Sequence, residues 1–142
     1  MILPWLSCMC ARLCCDDRPV FVEEAVVPYC CGTARVADYV QGGRLCWSVR
    51  HDCAGGSREV ACGYERLPDD WRQAVLEQCG TFRLRFPDDL GAGRVAVLRV
   101  LRRHGFAMGE LRAVLDSGVS GTRAELTLLA DRCGAAVWIG RE

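Results

Sequence analysis

Eleven cysteines and two histidines carry most of the chemical capacity of this 142-residue chain. The cysteines stand at 8, 10, 14, 15, 30, 31, 46, 53, 62, 79 and 133, the histidines at 51 and 104. Thiolate and neutral imidazole are together the usual ligands of zinc. Cys46, His51, Cys53 and Cys62 flank one predicted hairpin and form a first candidate metal set. Strand alternation puts Cys46 on the face opposite Trp47, which works against a shared tetrahedral site. Cys8, Cys10, Cys14 and Cys15 follow no tidy zinc-finger spacing, although some of them with Cys30 and Cys31 would make a second zinc site. Cysteines in an apolar N-terminal stretch beside a base are also candidates for S-acylation. Against both stands a plainer reading, a buried or frayed segment with cysteine in place of Ala or Ser.

Other chemistry has less behind it. His51-Asp52-Cys53 falls in a predicted turn, where adjacent residues do not assemble a base, a nucleophile and an oxyanion donor. Gly91-x-Gly93 lacks the rest of any phosphate-cradling loop. Asp69 and Asp70 suit a helix start better than an acid–base pair. The chain reads as a non-enzyme with no cofactor, zinc being the one considered.

Charge and composition narrow the class. Eighteen basic and eighteen acidic residues give no net charge, and so no general attraction to nucleic acid or anionic membrane. At 51% hydrophobic residues the chain is globular, one domain spanning 1–142 with a Cys-rich segment at 1–18. All 18 basic residues are Arg, and Lys is absent. A GC-rich coding sequence explains that; a protein avoiding ubiquitin while working beside a ubiquitin ligase is the sharper alternative. Pro4 and Arg12 cut the apolar start too short for a secretory signal, and no run approaches the ~20 residues of a spanning helix. An odd cysteine count without a signal suits a reducing compartment. Membrane contact is expected only through acylation.

The elements that position these groups follow from periodicity. Val20–Val27 is β-branched and reads as a strand. Thr33–Gln41, with Val36, Tyr39 and Val40 at helical spacing, predicts a short helix stopped by Gly42-Gly43. Arg44–Arg50 and Arg58–Tyr64 alternate as strands around a turn at 52–57, with Leu45, Trp47 and Val49 on one face. Pro68 predicts the first position of a helix over 68–79 that buries Trp71, Val75 and Leu76 and ends at Gly80. Thr81–Phe86 alternates as a strand. Helices are predicted at 94–104, 108–116 and 122–133, the last opened by the capping box Thr122-x-x-Glu125, and a closing strand at 135–139. The 94–116 pair invites a helix-turn-helix reading with Arg99, Arg102, Arg103 and His104 on phosphates. The second helix, with Arg112 offset by Glu110 and Asp116, argues instead for a packed hairpin and no nucleic acid. The whole is an α+β domain: a small, mainly antiparallel sheet with a central β-hairpin at about 44–64, flanked by four or five short helices.

Val60, Gly63, Tyr64, Leu67, Pro68 and Trp71 form an apolar-x-x-apolar-apolar-x-x-apolar-Pro-x-x-Trp pattern. It resembles the first motif of the herpesviral "US-twenty-two" family, part of the wider SUKH superfamily of immunity and interaction domains. The likeness covers residues 43 to 80, and Leu67-Pro68-x-x-Trp71 is its specific part. It implies a Leu-Pro-x-x-Trp helix start packed on a sheet, in a non-catalytic viral accessory protein of the host cytoplasm or nucleus. Such a protein binds a host protein and blunts an antiviral or cell-death response, with the motif residues mainly building the fold. Trp47, His51, Cys53, Ser57, Cys62 and Trp71 also echo the order found in adenoviral early-region "34K" proteins. That likeness implies a zinc-stabilised Cys-rich adaptor recruiting a host ubiquitin ligase.

Overall fold

The computed structural model describes residues 20–53, 56–134 and 137–142. Four consecutive strands, β1 (Val20–Tyr29), β2 (Gly32–Gln41), β3 (Arg44–Cys53) and β4 (Gly56–Tyr64), form an antiparallel sheet in sequence order. Gly42 and Gly43, at φ 58° and 69°, make the two-residue turn from β2 to β3 that L-residues resist.

The helix predicted over Thr33–Gln41 is strand β2. Val36, Tyr39 and Val40 fit a helical period, but Ala34, Val36 and Asp38 also alternate, and these three are buried. Bonding to β1 on one side and β3 on the other satisfies the backbone on both edges, and this tertiary pairing overrides the weak local preference. Ala34, Val36, Asp38 and Val40 lie opposite His51, Val49, Trp47 and Leu45, which defines the inner face of the sheet.

Helix α1 (Asp69–Cys79) covers that face. Pro68 sits one residue earlier than predicted, as the cap, because its ψ of 145° is extended rather than helical. Asp69 and Asp70 fill the first turn, at the positive end of the helix dipole. Val75, Trp71 and Ala74 pack with Ala25, Val36, Val49 and Leu67, and the Trp47 and Trp71 rings meet at 5.5 Å between centroids. A Cβ on Gly63 would lie 2.6 Å from the Trp47 indole, so the ring rests directly on the β4 backbone.

The second half supplies β5 (Phe82–Arg85), α2 (Arg94–His104), α3 (Leu111–Ser117), β6 (Val119–Gly121), α4 (Arg123–Cys133) and β7 (Trp138–Arg141). The strands form a second antiparallel sheet, ordered β6-β5-β7. Three residues are too few to display alternation, and the sequence predicts no strand at β6. The closing strand lies slightly beyond the predicted 135–139. Gly105, at φ 113° and ψ 0°, ends α2 in the left-handed conformation. Leu101 of α2 and Leu111 and Val114 of α3 point into one core with Leu84 and Val119, so the pair is a packed hairpin.

Helix α4 joins the two halves. Ala124 and Leu128, four apart, face Leu45 and Val40 of the first sheet. Leu126, Leu129 and Cys133 face Leu84, Val97 and Leu101 of the second layer. A helix apolar on two sides has to be buried between partners.

Gly63→Ala is expected to drive the Trp47 ring off β4. It should cost about 1–3 kcal/mol, the range for overpacking a filled core. Urea denaturation followed by tryptophan fluorescence checks both the lost stability and the displaced indole.

Candidate functional site

A threonine hydroxyl and a carboxylate make a buried polar connection between the halves. Thr122 caps α4: its Oγ1 accepts from the Glu125 amide at 3.2 Å, and its own amide donates to Glu125 Oε2 at 3.0 Å. The same hydroxyl donates to Asp38 Oδ2 on β2 at 2.6 Å, both residues being buried. Glu125 in turn receives Arg72 of α1 through two bonds, 2.6 Å from Nε and 2.9 Å from Nη2. One cap thus ties β2, α4 and α1 together. Asp38 Oδ1 has no partner among the described residues. Burial pushes the Asp38 carboxyl up to about 6, against the opposing pull of the Thr122 bond and with some help from the Glu125 charge.

Above this network opens a groove of about 870 Å³ between the first sheet, the C-terminal end of α2 and α4. Arg44, Arg66, Arg72, Arg103 and Arg132 line it together with His104. Glu65, Glu110 and Glu125 share the walls, and Leu45, Leu126, Leu128 and Leu129 supply apolar surface. Two arginines are engaged internally: Arg72 with Glu125, and Arg66 with Asp69 at 3.0 Å. Arg44 lies over the Tyr64 ring, 4.1 Å from its centroid. Arg103 belongs to the last turn of α2, where the helix dipole favours cations and the backbone carbonyls add negative potential. The arrangement offers planar hydrogen-bond donors to carboxylates over an apolar base.

The predicted residues are distributed unevenly. Leu67 is buried, Trp71 is half-buried against Trp47, and Gly63 underlies that ring, so these three hold the α1–sheet seam. Val60 does not: it is 41% exposed, beside a bulge where β4 slips register against β3. Tyr64 pairs with Cys46 on the other face and takes no part in the α1 seam. Pro68 is exposed and acts through the helix start alone.

The proposed metal set does not assemble. Cys46 alternates to the face away from His51, is buried, and turns its thiol to the Arg44 carbonyl at 3.6 Å. Cys62 pairs with Ser48 on that same face and is disulfide-bonded, so its thiolate is not available. The odd cysteine count suits a reducing compartment better than a disulfide framework, and Cys62 is nonetheless in a disulfide. Cys53 ends β3, and its side chain lies outside the described residues, as do Cys8, Cys10, Cys14 and Cys15. His51 instead faces Cys30 and Cys31, the two residues that turn β1 into β2, with ligand atoms of all three within 4.8 Å of one another.

No family model, curated protein or solved structure matches the chain. Among the described residues, no helix is long and apolar enough to cross a membrane.

Asp38 makes one contribution to the pH dependence of stability whose sign is set by its burial. Its folded pKa of about 6 exceeds the ordinary 3.8, so the stability it contributes is complete below 3.8 and is lost as pH rises through 6. Asp38→Asn, which cannot ionise, should match the wild type near pH 3.5 and exceed it by about 2–3 kcal/mol above pH 7. Urea midpoints of both proteins across that range check the sign.

Proposed function

We propose that this chain is a non-catalytic viral accessory domain that binds a host protein in the host cytoplasm or nucleus and blunts an antiviral or cell-death response. The arginine-lined groove is its docking site, and an acidic segment of the partner is the ligand. One observation carries the reading: five arginines outnumber three glutamates on a groove that also presents leucine surface, in a chain whose overall charge is zero. Balanced composition gives no diffuse attraction for anions, so a local concentration of guanidinium groups selects a ligand by position. Guanidinium forks recognise carboxylates bidentately, and the leucines accept apolar side chains between them. The resemblance through Leu67, Pro68 and Trp71 supports the same class, with those residues supplying the platform and the groove supplying recognition.

The test leaves the internal pairs alone. Arg44, Arg103 and Arg132 are exposed, so changing all three to Ala should spare the fold. Affinity purification from host cells with wild type and triple variant should recover one acidic-segment partner with the wild type only. Its capture should weaken as salt rises from 0.05 to 0.5 M, as charge-dependent contacts do. Equal recovery by the triple variant would remove the groove from the function.

A further inference from the structure

We propose that Cys30, Cys31 and His51 form a zinc site at the β1–β2 turn. Cys30 and Cys31 are the two turn residues, both exposed, and neither is in a disulfide. His51, on β3, is buried beneath them, and the Tyr29 ring lies 5.0 Å from the imidazole, centroid to centroid. His51 Nδ1 is 3.0 Å from the Thr33 carbonyl oxygen. A carbonyl only accepts, so Nδ1 holds the proton and donates. In that tautomer Nε2 carries the lone pair, and that atom lies 3.7 Å from Cys31 Sγ. A ring oriented by a backbone carbonyl through one nitrogen, with the other aimed at thiols, is how metal-binding histidines are commonly held.

The distances suit zinc. With Zn–S near 2.3 Å and Zn–N near 2.05 Å, tetrahedral ligands stand about 3.6 Å apart for S and N and about 3.8 Å for two sulfurs. The Cys31–His51 separation of 3.7 Å already fits, and closing the widest permitted gap, 4.8 Å, needs roughly 1 Å of movement. The thiols are on exposed turn side chains, where such movement is cheap. The donor set is soft sulfur with imidazole, which selects zinc over magnesium or calcium.

Backbone geometry adds a second line. Cys30 has φ 48°, in the left-handed region where Gly or Asn is the easy choice. A non-glycine residue kept at such a φ is uncommon, and such positions concentrate at functional sites. On binding, each thiol loses its proton to solvent and each thiolate gives a lone pair to the ion, with no change of oxidation state. Three donors among the described residues leave a fourth position for water or another ligand, and the ion would staple the first turn to β3.

The experiment uses the intact chain, handled anaerobically. Zinc chloride should bind at about one ion per chain and shield Cys30 and Cys31 from iodoacetamide, read by mass spectrometry of the peptide that contains them. A chelator should restore labelling. Cobalt(II) should give tetrahedral d–d absorption with a thiolate charge-transfer band. Cys30→Ser/Cys31→Ser should abolish that band, His51→Gln should weaken and shift it, and Cys79→Ser should leave it unchanged. Unchanged alkylation of Cys30 and Cys31 in saturating zinc, or undiminished zinc in the double-serine variant, overturns the site. Because the alkylation readout needs no substitution, a variant that fails to fold cannot protect the proposal.

Discussion

The hydrogen bond from Thr122 to Asp38 is the constraint on which the two layers depend. It spans 84 positions of sequence and lies in a region from which water is excluded. A carboxylate there is costly to desolvate, and one short bond from a hydroxyl compensates only part of that cost. The compensation arrives only when α4 is seated with its cap against β2. Any alternative seating leaves a buried charge without its donor, so the bond specifies position more than it adds stability. Glu125 and Arg72 extend the same specification to α1, because the glutamate that closes the cap also receives the guanidinium.

Much of the architecture is legible where signals are local. Alternation in Arg44–Tyr64 gives the hairpin, Gly105 and Gly134 mark helix ends, and Thr122-x-x-Glu125 gives the cap of α4. The failures also have local causes. In Thr33–Gln41, Val36 and Val40 satisfy a helical and a strand period at once, and only the neighbours β1 and β3 decide between them. The second sheet assembles from strands far apart in sequence, one of them three residues long, so its existence is a tertiary fact.

The chemistry was readable by type and not by grouping. His51, Cys30 and Cys31 each stand out in the sequence, but in different sets, because the turn between β1 and β2 depends on recognising β2 as a strand. Alternation alone separates His51 from Cys46. The register of three strands is needed to bring it to the thiols. The arginine groove lay further beyond reach: its arginines come from β3, the loop before α1, α1 itself, the end of α2 and α4, and no window of sequence contains them together. The capping box is visible locally, whereas its buried partner Asp38 is not.

The two-sided burial of α4 has a consequence for the order of synthesis. The first sheet is a run of neighbouring hairpins, complete in the nascent chain before α4 exists. Its inner face near Val40 and Leu45 then waits for Ala124 and Leu128. Until α4 has left the ribosome, that apolar strip is open to solvent and to other chains. A chaperone, or early docking of α1 over the rest of the face, would be the natural guard during that interval.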